Sequence, residues 1–253
     1  MTTRTDPVRI ALVYPSVLGT YGDGGNAVVL TQRLRWRGIA AEIVPVEIGD
    51  SLPVQVDGYV LGGGEDSAQT LAVSRLADGS LRRAAVGGTP VFAVCAGFQI
   101  LGATFLDGHG EVHPGLGMID CTTDRLDGPR AVGELLTTST LADVGLLTGY
   151  ENHGGRTVLG PEAIPLGTVT AGVGNGHSAA DGAVQGSVLA TYLHGPALAR
   201  NPALADELLR RIVGPLSPLD DHEERDLHDE RVRAAATGRM RRNRQWRPPA
   251  RDH

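Results

Sequence analysis

Four apolar residues, Val91 to Val94, run directly into a cysteine, Cys95, and small residues follow it at once. A short apolar run predicts a buried strand, and the small residues predict a sharp turn into a helix. The partial positive charge at a helix N-terminus favours the thiolate form of a cysteine placed there. The segment therefore predicts a sheet protein with a nucleophile at Cys95, and the alternative is a buried structural cysteine.

A second apolar segment, from Ala190 to Leu193, ends at a histidine, His194. The carboxyl ends of parallel strands meet at one edge of a sheet, where α/β proteins hold their ligands. An imidazole at that edge lies within reach of Cys95 and fits the role of a general base. The alternative for His194, one of eight histidines, is a hydrogen-bonded surface residue.

Backbone amides near Cys95 are predicted to stabilise an oxyanion. The amide of Ala96 follows the cysteine directly, and a glycine run at 62–64 follows another predicted strand. Glycine lets the backbone approach a substrate closely, so Gly64 or Gly63 is the expected second donor. The run lacks the Gly-Lys-Ser/Thr ending of a phosphate-binding loop, which excludes that alternative.

The order of the predicted elements indicates a three-layer α/β sandwich with a mostly parallel central sheet. Asn26 is the predicted cap of the first helix, and Gly38 is its predicted end. Between residues 108 and 186, short β-like runs separated by glycine and proline predict antiparallel additions. Predicted strands cover 8–13, 40–46, 59–61, 90–94 and 187–193, and predicted helices cover 26–37, 67–86, 96–102 and 201–213.

Composition restricts the class of protein. The 253 residues include 41% hydrophobic side chains and carry a net charge of −6, which argues against a nucleic-acid-binding protein. Two cysteines do not make a disulfide framework, and no apolar stretch reaches the roughly 18 residues of a membrane span, so a cytoplasmic protein is expected. Cys121 is expected to be structural, and His109, His113 and His153 lack a metal-ligand spacing.

A single domain is predicted over residues 8–215, followed by a charged tail over 216–253. The tail is dense in both charges at first and ends in a run rich in arginine. Such blocks are typical of a solvated terminal helix with a disordered basic end. A tail that docks on a partner protein is the alternative.

The segment from Ala93 to Gln99 resembles the nucleophile motif of the class I, or triad, glutamine amidotransferases, with Ala93 where glycine is usual. His194 matches the histidine of that family, but Pro196 replaces the acid that usually follows it by two residues. This departure is similar to the cobyric-acid-synthase-like branch. The segments Tyr21 to Asn26 and Glu151 to Thr157 resemble more closely the glutaminase subunits of lipid II isoglutaminyl synthase.

The resemblance covers roughly residues 8–215 and implies a flavodoxin-like fold. It implies that Cys95 attacks the side-chain amide of glutamine, that His194 is the base, and that Arg130 holds the substrate carboxylate. A guanidinium suits that last role because it can bind a carboxylate through two parallel hydrogen bonds. The alternative for Arg130 is a surface residue on a strand.

The third member of the triad has no assigned residue in the sequence. Glu65, Asp66 and Glu151 are the candidates within the chain. A further hypothesis is that a partner protein supplies the carboxylate, which would keep the glutaminase idle until a complex forms.

The resemblance also implies a heterodimer with a Mur-ligase-like partner subunit, MurT, which would bind ATP and Mg²⁺ and amidate the α-carboxylate of D-glutamate in the lipid II stem peptide to D-isoglutamine. No cofactor is expected in this chain. The acceptor is lipid-linked, but the chain is not expected to be an integral membrane protein. Three alternatives stay open: a cobyrinate-type amidotransferase subunit, a stand-alone thiol hydrolase on the same fold, and a non-catalytic binding protein.

Overall fold

The structure is a computed structural model that describes residues 6–242. Its helices and strands, in chain order, are β1 (Val8–Val13), α1 (Gly25–Trp36), β2 (Ala41–Val46), β3 (Gly58–Leu61), α2 (Asp66–Leu76), α3 (Ser80–Val86), β4 (Val91–Val94), α4 (Ala96–Leu101), β5 (Thr104–Leu106), β6 (Val112–Pro114), β7 (Cys121–Arg125), β8 (Ala131–Ser139), β9 (Leu146–His153), β10 (Gly155–Leu159), β11 (Gly167–Ala171), β12 (Ala180–Asp181), β13 (Ala183–Gln185), β14 (Val188–Thr191), α5 (Ala197–Arg200), α6 (Pro202–Val213) and α7 (His222–Arg242).

A six-stranded sheet with the order β13-β14-β4-β3-β1-β2 forms the centre of the molecule. The five strands from β14 to β2 are parallel, and only the edge strand β13 is antiparallel to its neighbour. Every residue of β3, β4 and β14 is buried, as expected for parallel strands covered on both faces. The predicted α/β fold with a mostly parallel central sheet is confirmed.

The loops singled out in the sequence leave four strands that lie side by side. In the order β14, β4, β3 and β1, these strands lead into His194, Cys95, the glycine run and the loop before α1. The carboxyl ends of parallel strands point the same way, so the four loops converge at one edge of the sheet.

Two smaller sheets contain the additions predicted over residues 108–186, and all their strand pairs are antiparallel as expected except the parallel pair β5–β7. One has the order β10-β7-β5-β6 and the other has the order β12-β11-β8-β9. A pair of backbone hydrogen bonds between Tyr150 in β9 and His194 joins the second sheet to the end of the central one. The additions therefore form one wall of the same edge.

Two sequence-based predictions about helices are wrong in detail. The helix predicted over 67–86 is interrupted, because Gly79 has a φ of 74° and the Asp78 carboxylate accepts the amide of Ser80, the first residue of α3. Asn26 lies inside α1 rather than at its cap. Its side chain instead donates to the Asp23 carbonyl and accepts the Leu198 amide, which fixes the loop before α1 against α5.

The long helix α7 packs against α5 and strands β8 and β9. Its approach is anchored by Arg33 of α1, whose side chain is 2% exposed and binds Asp206 and Asp221 at 2.7 and 2.8 Å. The domain boundary near residue 215 stays a prediction, and the predicted basic end beyond residue 242 lies outside the described residues. None of the helices in residues 6–242 is long and apolar enough to cross a membrane.

Replacing Arg33 with alanine is expected to lower the free energy of unfolding by about 3 kcal/mol, because it removes the buried cation that the Asp206 and Asp221 carboxylates share. The loss stays at the lower end for a buried ion pair because Asp206 keeps Arg37 and Asp221 keeps Arg225 as partners. Urea denaturation followed by circular dichroism measures the change. The control is Arg9→Ala, which breaks an exposed ion pair with Glu42 and should cost no more than about 1 kcal/mol. Equal losses in the two variants would contradict the prediction.

Candidate active site

Cys95 lies at a strained turn between β4 and α4. Its φ of 52° and ψ of −107° are unfavourable for a residue with a side chain. The turn is held by the Cys95 amide, which donates to the Thr191 carbonyl at 2.9 Å. It is also close-packed, because a Cβ on Gly97 would lie 2.9 Å from the Gly62 carbonyl oxygen. The elbow therefore requires a glycine at position 97, two residues after the cysteine, for steric reasons.

The side chain of His194 is held by a carboxylate from within the chain. Its Nδ1 atom lies 2.9 Å from Oδ2 and 3.1 Å from Oδ1 of Asp23. An ionised carboxylate only accepts hydrogen bonds, so Nδ1 is the donor and bears a proton. Asp23 is fully buried, and its Oδ2 also accepts the amide of Gly63 at 2.8 Å. Asp23 therefore orients the imidazole in the manner of a triad acid.

The other ring nitrogen of His194, Nε2, is buried and has no well-formed hydrogen bond to a residue within 6–242. Both His194 and Cys95 surround Gly63, since a Cβ on that glycine would meet His194 Cε1 at 2.7 Å and Cys95 Cβ at 3.4 Å. The sheet edge therefore places the imidazole beside the thiol.

The surroundings of His194 stabilise the positively charged, protonated form of its imidazole. Burial by itself lowers the pKa of the imidazole, but the Asp23 carboxylate and the Cys95 side chain outweigh this effect and raise it to about 9. The imidazole is therefore protonated at neutral pH and can donate a proton from Nε2. Burial raises the pKa of the Cys121 thiol to about 12, so that cysteine stays protonated, as expected of a structural residue.

The backbone amides predicted as oxyanion donors differ in their availability. The Gly63 amide is occupied by Asp23 and is therefore not free. The amides of Gly64 and Ala96 donate no hydrogen bond to another residue within 6–242. Gly64 lines the same cavity as Cys95. Of the two glycines considered, Gly64 is the one whose amide can turn to a ligand.

Cys95 opens onto a cavity of about 270 Å³ that Arg130 also lines. Arg130 precedes β8 and donates from Nε to the side-chain oxygen of Asn152 at 2.6 Å and from Nη2 to its carbonyl at 3.0 Å. Its Nη1 atom lies near Gly154 and donates to no residue that the structure describes. A guanidinium has five N–H groups, so the end of Arg130 remains available to a carboxylate in the cavity.

The structure corrects the candidates for the third triad residue. Glu151 is buried, but its carboxylate accepts the amides of Val173 and Gly174. Glu65 and Asp66 are exposed at the start of α2, and neither contacts His194. Since Asp23 occupies Nδ1, a carboxylate from a partner is not needed there. Asp23 therefore takes, from within the chain, the place that the hypothesis assigned to a carboxylate of the partner.

Sequence reasoning missed Asp23 although it lies in a segment that was singled out. The segment Tyr21 to Asn26 was used only for the family resemblance and for a helix cap. An acid in the loop after a parallel strand belongs to the edge where ligands bind. That position was the available signal, and the strand order, which places β1 near β4 and β14, was the missing information.

A thiol, an imidazole and a carboxylate gathered at the carboxyl edge of a parallel sheet, beside backbone amides, define the chain as an α/β protein equipped for acyl transfer from an amide or ester. Comparison with known sequences narrows this class. Residues 9–202 match the profile of the CobB/CobQ-like glutamine amidotransferase domain. The chain belongs to this family of glutamine amidotransferases.

Two bacterial relatives match over most of their length. The chain is 31% identical to "Lipid II isoglutaminyl synthase (glutamine-hydrolyzing) subunit GatD" of Staphylococcus aureus (strain N315), over 90% of this chain and 95% of the relative. It is also 31% identical to the protein of the same name from Streptococcus pneumoniae (strain ATCC BAA-255 / R6), over 80% and 79%. A probable cobyric acid synthase of Methanoregula boonei is 33% identical, but the match covers only 40% of that protein.

Solved structures support the fold. A glutamine amidotransferase crystal structure has a TM-score of 0.56 and 22% identity, with 80% of this chain and 98% of the other chain covered. A second, from Thermotoga maritima, has a TM-score of 0.53 and 15% identity over 92% and 93%. At such identities the likeness shows the fold alone.

Replacing Asp23 with asparagine is expected to lower the pKa of His194 from about 9, because the charge that stabilises the imidazolium is removed. An NMR titration of the His194 ring nitrogens measures the shift. Asp66→Asn is the matched control, since that carboxylate is exposed and the His194 ring pairs with Asp23 instead, and its titration should follow the wild type. Coincident curves for Asp23→Asn and wild type would show that Asp23 does not set this pKa.

The same raised pKa gives a pH dependence of stability. The folded value of about 9 lies above the 6.5 of a free imidazole, so the folded state holds the proton more tightly. We expect the His194 contribution to stability to be complete below pH 6.5 and to disappear as pH rises through about 9. Urea denaturation of wild type and Asp23→Asn between pH 6 and 10 should show a difference that shrinks with pH. A constant difference would contradict the linkage.

Proposed function

We propose that this chain is the glutaminase subunit of a lipid II isoglutaminyl synthase. It hydrolyses L-glutamine through a thioester on Cys95 and supplies ammonia to a Mur-ligase-like partner, MurT, which amidates the α-carboxylate of D-glutamate in the lipid II stem peptide. The observation that carries the proposal is the Cys95 elbow, which opens onto the Arg130 cavity beside the His194–Asp23 pair.

In the first step, the Cys95 thiolate attacks the side-chain amide carbon of glutamine. A carbon–sulfur bond forms and the carbonyl π pair moves to oxygen. The amides of Ala96 and Gly64 donate to this oxyanion, since neither has another acceptor in residues 6–242. Protonated His194 then gives its Nε2 proton to the amide nitrogen, and ammonia leaves as the carbonyl re-forms.

In the second step, water hydrolyses the γ-glutamyl thioester. Neutral His194 takes a proton from the water, the new carbon–oxygen bond forms, and the carbon–sulfur bond breaks. Glutamate leaves and the thiolate–imidazolium pair is restored. Asp23 keeps Nδ1 protonated through both steps, so only Nε2 exchanges protons with the reaction.

The substrate is oriented by its α-carboxylate. The free end of Arg130 offers two N–H groups to that carboxylate inside the cavity that Cys95 shares. A cavity of about 270 Å³ has room for a single amino acid such as glutamine.

The acceptor and partner are inferred from the relatives. Two proteins named as lipid II isoglutaminyl synthase subunits match over 95% and 79% of their length, whereas the match to the probable cobyric acid synthase covers 40% of that protein. We therefore expect ATP and Mg²⁺ to bind on the partner and no cofactor to bind on this chain. Because the partner uses ATP, we expect the complex to be cytoplasmic.

Purified chain is expected to release ammonia from L-glutamine, and Cys95→Ala should abolish this release because it removes the nucleophile. Asp23→Asn should lower kcat by roughly 100- to 10,000-fold, because it removes the group that orients and charges the general acid. A coupled glutamate dehydrogenase assay measures the release, and mass spectrometry of trapped enzyme detects the thioester. Undiminished release from Cys95→Ala would overturn the proposal.

The same assay with and without the Mur-ligase-like partner shows whether ammonia release depends on the partner. Because Asp23 lies in this chain, we expect measurable Cys95-dependent release from the chain alone. Amidation of lipid II should require both subunits, ATP and glutamine. Amidation of a cobyrinate acceptor instead would replace the acceptor in the proposal and leave the glutaminase step unchanged.

Arg130→Ala is expected to raise the KM for glutamine by roughly 10- to 100-fold, the usual value of a charged hydrogen-bond pair to a ligand. Arg125→Ala is the matched control, because Arg125 lines the same cavity but donates to the Gly108 carbonyl. Steady-state kinetics of the two variants decide which arginine holds the substrate. A larger KM effect at Arg125 would transfer the role to that residue.

A further inference from the structure

Two sequence segments that the mechanism uses only in part meet beside the catalytic histidine. Asn152, from the segment Glu151 to Thr157, donates from Nδ2 to the hydroxyl of Tyr21 at 2.8 Å. The two residues are 131 positions apart in the chain. Neither has a role in the chemical steps, so the contact calls for another explanation.

The orientation of the Asn152 side chain is fixed by its neighbours. Its Oδ1 accepts the Nε–H of Arg130 at 2.6 Å, and a flipped amide would set two donors against each other there. The NH₂ group therefore faces the Tyr21 hydroxyl, which acts as its acceptor. Through Asn152, the hydroxyl of Tyr21 thus sets the direction of the Arg130 side chain.

The ring of Tyr21 has a second contact. It packs against the imidazole of His194, with ring centroids 4.7 Å apart and planes inclined at 59°. The loop that carries Tyr21 also supplies Asp23, which binds Nδ1 of the same imidazole. The ring of Tyr21 therefore contacts the His194 imidazole. Its hydroxyl contacts Asn152, the residue that holds Arg130.

We propose that Tyr21 and Asn152 are positioning residues that couple glutamine binding at Arg130 to the placement of His194. The proposal rests on the proposed glutaminase function. When a carboxylate binds the free end of Arg130, it tightens the Arg130–Asn152–Tyr21 chain and holds the Tyr21 ring against the imidazole. A correctly bound substrate thereby fixes the general acid that must protonate its leaving group.

The two contacts of Tyr21 can be removed separately. Tyr21→Phe keeps the ring but loses the hydroxyl that links it through Asn152 to Arg130, so KM for glutamine should rise roughly 2- to 10-fold and kcat should fall by roughly twofold or more. Tyr21→Leu also loses the ring, so kcat should fall by a further roughly 2- to 10-fold. An unchanged KM or an unchanged kcat in Tyr21→Phe would overturn the coupling.

Asn152 provides the conservative comparison. Asn152→Asp keeps an oxygen that accepts the hydrogen bond from Arg130. Its second oxygen can accept a hydrogen bond from the Tyr21 hydroxyl, which replaces the bond that Asn152 donates. The KM for glutamine should therefore stay within roughly threefold of the wild-type value. Asn152→Ala removes both side-chain bonds and should raise KM by more than Tyr21→Phe does, because it also loses the bond to Arg130. In a double-mutant cycle, Tyr21→Phe and Asn152→Ala should be non-additive, because each removes the same bond. Additive effects on KM would contradict the proposal.

Tyr59→Phe is the matched control for loss of a tyrosine hydroxyl. Tyr59 lies in β3 and donates to the Pro53 carbonyl at 2.6 Å, away from the cavity. It should lower stability in urea denaturation without changing KM or kcat. A KM increase in Tyr59→Phe equal to that in Tyr21→Phe would show that both act only through general stability, and would overturn the proposal.

A binding measurement separates failure of this inference from failure of the glutaminase proposal. L-Glutamine binding to Cys95→Ser is measured by calorimetry, with and without Tyr21→Phe. Weaker binding in the double variant supports the positioning role, whether or not the wild-type chain turns glutamine over. Absence of turnover by the wild-type chain would count against the glutaminase proposal and not against the positioning role. Equal binding by the two proteins, or no binding by Cys95→Ser, overturns the inference.

Discussion

The buried carboxylate of Asp23 is the group on which the arrangement of the site depends. A charge with no exposure to water must be satisfied by hydrogen bonds, and Asp23 obtains them from the Gly63 amide and the His194 ring. These partners follow β3 and β14, while Asp23 itself follows β1. One carboxylate thus ties together three loops at the sheet edge and charges the imidazole beside Cys95.

The strained turn at Cys95 is maintained by the rigidity of the strands around it. A φ of 52° is costly for a cysteine, and such strain persists where the surroundings over-determine the backbone. Here the fully buried strand β4 enters the turn, the Thr191 carbonyl holds its amide, and Gly97 fits tightly against Gly62. The reactive position is therefore set by the fold, before any substrate arrives.

Pro196, which stands where the family resemblance expects an acid, packs against the loop before α1. A Cβ on Gly25 would lie 2.4 Å from Cγ of Pro196, so this loop contacts the turn after His194 directly. That packing brings Asp23, two residues before Gly25, to Nδ1 of the imidazole. The carboxylate therefore comes from the loop after β1 and not from the turn that contains Pro196.

The sequence by itself determined the alternation of strands and helices, the parallel core, and the placement of Cys95 and His194 at strand ends. Local chemistry determines these features, since apolar runs predict buried strands and polar residues at their ends predict a ligand edge. The antiparallel additions followed from glycine and proline spacing. The helix over 67–86 and the cap at Asn26 were wrong, because Gly79 breaks the first and a tertiary bond to Leu198 uses the second.

Only the tertiary structure decided that Asp23, rather than Glu65, Asp66 or Glu151, completes the triad, and that Tyr21 meets Asn152. These are contacts between residues 171 and 131 positions apart. Their existence depends on the strand order and on which loops face one another across the sheet edge. A local pattern states that an acid or a tyrosine is present near a strand end, but only the folded chain selects its partner.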